Sequence, residues 1–123
     1  MQKNSELYKR VRLSGYLRNI KQYTLESYFD SVWGEEDKKY LELHLQIIRR
    51  IQKRYKHSDE TMVIVTDYVL HISNGVLNCR YIEYIACMVI GEGIATSIDL
   101  LKYLYNEKPL WQEIERGLAT KQV

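Results

Sequence analysis

Asp67 and His71 are the residues best placed for acid–base chemistry, because they lie four positions apart in the segment TDYVLHI. If this segment is a helix, the two side chains share one face, and the carboxylate can hold the imidazole as a general base requires. No Ser or Cys nucleophile can be placed beside the pair from the sequence. The spacing is therefore more typical of an ordinary pair on a helix surface than of a catalytic dyad.

The sequence lacks the spacings of known metal and cofactor motifs. The three histidines are far apart, no HExxH or zinc-finger spacing occurs, and GEG at 91–93 is too short for a phosphate-binding loop. Cys79 and Cys87 would lie about 12 Å apart on a helix, whereas a disulfide spans at most about 7 Å. They also lack CxxC spacing, so we expect both to be small buried hydrophobic residues. The sequence thus predicts a protein that is not an enzyme and holds no cofactor or metal.

A helix-turn-helix is a second candidate, with RYIEYIACMVI as its first helix, GEG as its turn and ATSIDLLKYLYN as its reading helix. A reading helix needs Arg, Lys, Asn or Gln to reach base edges. This one offers Lys102 and Asn106 beside Asp99, with Glu92 and Glu107 at its ends, so it has no excess of positive charge for phosphates. The segment is more typical of ordinary helix packing.

A cluster of five cations lies in the segment IIRRIQKRYKH at 47–57: Arg49, Arg50, Lys53, Arg54 and Lys56. Residues 1–57 hold 13 Lys and Arg against 7 Asp and Glu, whereas residues 58–123 hold 5 against 9, so the two parts carry +6 and −4. This asymmetry indicates either a basic face for an anionic partner or two halves that attract each other within the fold. Cations are also favoured at the end of a helix by its dipole, so the cluster has a purely structural explanation as well.

Tyrosine is unusually frequent, with 11 copies against two Trp and one Phe. Four tyrosines fall within the first thirty residues, among several cations. Such a mixture suits a protein interface or stacked bases, but tyrosine also packs at the boundary of a core, and both interpretations stay open. The candidate partner-binding residues are Arg49, Arg50, Lys53, Lys56, Arg10, Arg12, Arg18, Tyr16 and Tyr23.

These residues must be positioned by helices, of which the segment 35–57 is the clearest. Its apolar residues recur at intervals of four, three, three and four, with acidic residues at the start and cations at the end. They are Leu41, Leu45, Ile48, Ile51 and Tyr55. We expect this stripe, together with Ile47, to face inward and Arg49, Arg50, Lys53 and Lys56 to face solvent.

The segments on either side of Asn74-Gly75 allow two interpretations. Ser58 is a suitable N-cap, and Met62, Val65, Val69 and Ile72 keep helical spacing, as do the apolar residues from Leu77 to Met88. However, β-branched residues on both sides of an Asn-Gly pair are also typical of a β-hairpin. The helical spacing favours two helices over 61–90, and the hairpin remains the alternative.

One helix or two short ones are predicted over 4–23, and further helices are predicted over 24–34, 96–106 and from Pro109 onward. Thr96 and Asp99 have the spacing of a capping box, and Ile98, Leu101 and Tyr105 form the expected buried stripe. We therefore predict an all-α protein, with residues 1–123 forming one compact domain of six to seven helices in a bundle-like or orthogonal array and a frayed C-terminal tail. The predicted core comprises Leu41, Leu45, Ile48, Val65, Val69, Leu77, Ile85, Ile98, Leu101 and Ile114.

The longest apolar run, IACMVI at 85–90, is far shorter than the roughly 20 residues of a membrane-spanning helix, and the N-terminus lacks the apolar core of a secretory signal. We therefore expect a cytoplasmic protein that does not use a membrane. Our hypothesis is a small non-catalytic binding or regulatory protein, of the adaptor or inhibitor type carried by bacterial mobile elements. It would dock on a protein with an acidic surface through its basic, tyrosine-rich N-terminal half. The alternative is a nucleic-acid-binding protein that uses the same half.

Overall fold

The computed structural model describes residues 15–34 and 38–107. These residues form α1 (residues 15–20), α2 (Leu25–Trp33), α3 (Lys38–Tyr55), α4 (Asp59–Ile72), α5 (Cys79–Gly91) and α6 (Ser97–Lys102), and α6 continues into a π-helical turn at Tyr103–Glu107. The described residues contain no strand, which confirms the all-α prediction. The helix predicted from Pro109 onward and the core residue Ile114 lie outside the described residues.

Helix α4 is the centre of the core. It is apolar around most of its circumference, as expected for a helix enclosed by others, and it packs against α2, α3, α5 and α6. Its buried residues are Met62, Val63, Ile64, Val65, Thr66, Tyr68, Val69 and Leu70. The β-branched residues are helical here because the ends of the segment favour a helix: the side chain of Ser58 accepts the Thr61 N–H, and the Ser73 N–H bonds to the Val69 carbonyl.

The Asn74-Gly75 pair ends α4 and does not close a hairpin. Both residues have positive φ, 54° and 86°, and the Gly75 N–H donates to the Leu70 carbonyl over 2.8 Å. Asn78 then caps α5 by accepting the Tyr81 N–H. The two-helix interpretation of 61–90 is therefore confirmed, since the same left-handed residues that suit a hairpin turn also suit a helix C-terminus.

Helices α3 and α5 pack side by side in the same direction. Arg54 pairs with Glu83, and three residues further along both segments the His57 Nε2 lies 2.8 Å from the Ala86 carbonyl oxygen. Because the two contacts advance together, the two helices run in the same direction. The predicted stripe of α3 is confirmed in its centre, where Leu41, Ile48 and Ile51 are buried, while Leu45 and Tyr55 are half-buried against the core.

Helices α2 and α4 also run in the same direction. At their starts, the Leu25 N–H donates to Oδ2 of Asp59 over 3.1 Å. Further along, the Tyr28 hydroxyl donates to Oδ1 of Asp67 over 2.6 Å, and the two C-terminal ends border one groove. The two C-termini therefore lie at the same end of the molecule.

Two of the three residues predicted to form the buried stripe of α6, Ile98 and Tyr105, are not buried. In the last described segment, Leu100, Leu101 and Leu104 are buried, whereas Ile98 is only half-buried. Leu100, Leu101 and Leu104 are spaced by one and three residues, which is also compatible with one helix face, so the buried side is rotated from the predicted one and Tyr105 is exposed.

The two cysteines were expected to be buried, but Cys79 is half-buried and Cys87 is exposed. Helix α5 packs through Ile82, Ile85, Ala86 and Val89, and this leaves Cys87 on the outer side. Within the described ranges, no helix is both long and apolar enough to cross a membrane.

Candidate functional site

The outer side of α3 carries three large exposed apolar side chains. Tyr40, Leu43 and Ile47 are 51%, 61% and 38% exposed. Their spacing of three and four residues places them on one side of the helix. The prediction that Ile47 faces inward is wrong, because its neighbour Ile48, which is 0% exposed, takes the central inward position.

Two exposed cations continue the same side toward the C-terminus of α3. Arg50 follows Ile47 by three residues, and Lys53 follows Arg50 by three. Neither forms an ion pair with any described residue. We call the surface formed by Tyr40, Leu43, Ile47, Arg50 and Lys53 the α3 face. Its first half is apolar and its second half is positively charged.

The other cations of this segment have different surroundings. Arg54 pairs with Glu83 of α5, although 61% of its side chain is exposed. Lys56 is exposed just beyond the helix, at a positive φ of 57°. Of the four cations expected to face solvent, Arg50, Lys53 and Lys56 do so.

Arg49 does not face solvent freely, because it is used inside the fold. Its Nη1 lies 2.7 Å from Oδ1 of Asp59 and 2.6 Å from Oε1 of Gln52, and its Nη2 lies 2.7 Å from Oε2 of Glu26. Its side chain is 34% exposed. The expectation of an outward, solvated Arg49 is thus wrong, since two carboxylates on α2 and α4 lie within its reach.

Asp59 accepts more hydrogen bonds than any other carboxylate in the described ranges. Those from Arg49 contribute most, and together with Gln52 Nε2 and the Leu25 N–H they lower the pKa of Asp59 to about 2, against the opposing effect of burial. The same contact raises the pKa of Arg49. The charge of Arg49 is therefore neutralised within the molecule, and its role is to join three helices.

The N-terminal tyrosines in the described residues pack against the core. Tyr16 and Tyr23 are half-buried. The Tyr16 hydroxyl donates to Oδ2 of Asp67, and the Tyr23 ring lies edge-on to Tyr28 with centroids 6.1 Å apart. Tyr16 and Tyr23 thus pack at the boundary of the core, and their part in binding a partner stays a prediction.

Asp67 therefore bonds to two tyrosines, and not to His71, the partner that the sequence suggested. Its two oxygens accept the hydroxyls of Tyr16 and Tyr28, while His71 is exposed one turn further along α4. Burial, followed by the hydrogen bond to Asp67, raises the pKa of both phenols. The sequence could not reveal this contact, because Tyr16 is 51 residues from Asp67.

The basic residues of the N-terminal segment are only partly described. Arg10 and Arg12 lie outside the described residues, and Arg18 is exposed on α1. The contacts of Tyr16 place α1 beside α4 and the π-helical turn, where its ring lies 6.5 Å from that of Tyr105. Arg18 is thus on a helix next to α4, whereas the α3 face is on a helix that packs mainly against α5.

The helix-turn-helix candidate does not supply a reading helix. Helix α6 spans only six residues, and its Leu100 and Leu101 are buried against the rest of the fold. The exposed residue of its first turn is Asp99, which would repel phosphates. The segment contributes to the core, as the alternative interpretation expected.

The apolar half of the α3 face was missed by the sequence analysis. The signal was present, because Tyr40, Leu43 and Ile47 have their own spacing of three and four, offset from the buried stripe. Within the described ranges, no group of His, Cys, Asp and Glu could hold a metal ion. Comparison of the chain with protein-family models, with curated proteins and with solved structures returned no match.

Proposed function

We propose that this chain is a small non-catalytic binding protein of the cytoplasm, of the regulatory, adaptor or inhibitor type, and that it docks on another protein through the α3 face. The partner surface is acidic and carries apolar residues of its own. One observation carries this proposal: three exposed apolar side chains adjoin two exposed cations, without ion pairs to described residues, along one side of a helix.

The apolar half supplies the affinity. Single exposed apolar residues are common on protein surfaces, whereas a contiguous group is typical of an interaction site. Full burial of a side chain such as Leu43 contributes about 1.5 to 3 kcal/mol. Tyr40 adds an aromatic side chain of the kind enriched at the centres of interfaces.

The cationic half supplies specificity. Arg50 and Lys53 have no ion pair within the described part of the chain, so an acidic partner would gain two charge contacts that the fold leaves open. Such charges at an interface mainly steer association and exclude wrong partners. Duplex DNA fits this surface less well, because its phosphates match the two cations but offer nothing to Leu43 and Ile47.

The experiment is capture of the partner from the native host by the immobilised chain, with and without nuclease treatment. A protein that is retained after nuclease supports the proposal, whereas loss of every bound component indicates nucleic acid. Affinity for the captured partner is then measured for two charge-reversed variants, Arg50→Glu with Lys53→Glu on the α3 face and Arg18→Glu with Lys21→Glu as the control. The two variants carry the same change in net charge.

We expect the α3 variant to weaken binding by at least about tenfold, which corresponds to about 1.4 kcal/mol, and the control to change it by less than about twofold. The apolar variant Leu43→Ala with Ile47→Ala should weaken binding at every salt concentration. If the two charge reversals weaken binding equally, the basic N-terminal half as a whole, which includes Arg18, governs association and the α3 face alone does not. A salt slope of about 0.9 log unit per contact on duplex DNA, reduced in the α3 variant, would identify phosphate binding instead.

A further inference from the structure

An open groove of about 290 Å³ lies where the C-terminal ends of α2 and α4 meet. The groove lies between α2 and α4 and shares no residue with the α3 face. Its lining combines aromatic, apolar and acidic residues with a histidine and a glycine: Tyr28, Val32, Trp33, Asp67, Leu70, His71 and Gly75. Pockets for small molecules are typically about 300 to 1,000 Å³, so this groove has room for a single side chain or a similar group.

Asp67 provides a carboxylate without a cation. Its Oδ2 accepts the hydroxyl of Tyr16, and its Oδ1 accepts that of Tyr28 over 2.6 Å. No Lys or Arg in 15–34 and 38–107 forms an ion pair with it. A carboxylate oxygen can accept two hydrogen bonds, so each oxygen retains one position for a further donor. The two tyrosines fix the carboxylate while leaving half of its capacity open.

The surroundings of the carboxylate favour positive charge. Helix α2 ends at Trp33 and α4 ends at Ile72, so the negative ends of two helix dipoles point toward the groove. Trp33 is half-buried at the groove and provides an aromatic ring, and the faces of such rings attract cations. Trp33 is held in place by Phe29, with ring centroids 5.1 Å apart.

We propose that this groove binds a guanidinium group, that of an arginine side chain or of a small molecule with the same head. A guanidinium is planar and presents paired N–H donors that match the two open positions on Asp67. It also stacks on aromatic rings more readily than an ammonium does, and Trp33 offers such a ring. This proposal does not depend on the α3 face, so an experiment that contradicts one of the two binding sites leaves the other unaffected.

The test is a titration of the ¹⁵N-labelled full chain, followed by nuclear magnetic resonance. The probes are N-acetyl-arginine methylamide and its neutral isostere N-acetyl-citrulline methylamide. We expect the arginine probe to give saturable shifts at the Trp33 indole N–H and the Gly75 amide. The citrulline probe should bind at least about tenfold more weakly, because it loses the charge-assisted hydrogen bonds to Asp67.

Two variants and one control locate the site. Asp67→Asn should weaken the arginine probe by at least about tenfold, and Trp33→Leu should weaken it without any change of charge. Asp30→Asn is the control, because Asp30 is exposed on α2 and its replacement makes the same change in charge. The spectra themselves report whether each variant is folded. If Asp67→Asn unfolds, the comparison of the two probes on the unaltered chain still tests whether the groove prefers a guanidinium.

Equal binding of the two probes, or unchanged binding to folded Asp67→Asn, would overturn the proposal. A further arm identifies the source of the guanidinium. If a peptide with a central arginine binds more tightly than the capped residue, the natural ligand is a polypeptide. If flanking residues add nothing, it is a small guanidinium compound.

Discussion

The Arg49 Nη1 lies 2.7 Å from Oδ1 of Asp59, although the two residues belong to different helices. The same guanidinium bonds to Glu26, so one side chain of α3 holds the first turns of both α2 and α4. This contact explains how the most conspicuous basic segment of the sequence contributes to stability. It also separates Arg49 from Arg50, which is exposed and available to a partner.

Replacement of Arg49 by Met should destabilise the fold by about 1 to 2 kcal/mol, because two carboxylates lose their partner at a half-exposed site. The matched control is Arg50→Met, which should change the free energy of unfolding by less than about 0.5 kcal/mol. Urea denaturation of both variants measures the difference. Equal free energies of unfolding for the two variants would show that the Arg49 contacts do not stabilise the fold.

Asp59 should make stability depend on acid. Its pKa falls from an ordinary value of 3.8 to about 2, chiefly through hydrogen bonds from Arg49. A carboxyl with a lowered pKa stabilises the fold fully above its unfolded pKa, and this contribution is lost as the pH falls through the folded value.

Between pH 4 and pH 2 we therefore expect the unaltered chain to lose about 1 kcal/mol more stability than Asp59→Asn, a figure reduced for solvent exposure. Urea denaturation at several pH values in this range measures it. Parallel curves for the two proteins would contradict the assignment.

Ile48 and Ile47 form a matched pair for testing the core. Ile48 is 0% exposed, whereas Ile47, about 100° away around the axis of α3, is 38% exposed. Ile48→Ala should cost about 2 to 5 kcal/mol, whereas Ile47→Ala should cost less than about 1 kcal/mol. Thermal unfolding of the two single variants distinguishes them, and a larger loss for Ile47 would mean that α3 is rotated from its described position.

The hydroxyls of Tyr16 and Tyr28 should stabilise the fold through Asp67. Replacing either residue by Phe should cost about 1 to 3 kcal/mol, because a part-buried carboxylate loses a donor. Tyr40→Phe is the control, since Tyr40 is 51% exposed. Both phenols have a raised pKa, so in an alkaline ultraviolet titration of the folded chain they should stay protonated beyond the pH at which tyrosine ionises in the unfolded chain. Early ionisation of every tyrosine would argue against the buried hydrogen bonds.

Cys87 should react with a thiol reagent well before Cys79 in the folded chain. Cys87 is exposed, whereas Cys79 is half-buried and burial raises the pKa of its thiol. Mass spectrometry after a short pulse of N-ethylmaleimide identifies the modified residue. Equal labelling of the two cysteines in the native protein would show that α5 packs differently. Labelling of Cys79 only after unfolding would agree with the described packing.

The sequence by itself determined the helices. The recurrence of Leu41, Ile48 and Ile51 selected the inner side of α3, and the Ser58 cap with Asn74-Gly75 set the ends of α4. Both signals are local, because helical spacing and capping involve residues within one or two turns. The alternative hairpin over 61–90 also arose from local signals, but the caps of α4 and α5 favour two helices.

Only the tertiary structure decided which side chains meet. Helical spacing could not choose between Ile47 and Ile48 for the inward position, since neighbouring residues differ by about 100° around the axis and both are apolar. Nor could it show that Arg49 would reach Glu26 and Asp59, or that Asp67 would bond to tyrosines from α1 and α2. These contacts join residues 10 to 51 positions apart, and they depend on how the helices are placed against α4. Placement is fixed by the packing of all the buried faces together, so no single segment contains the information.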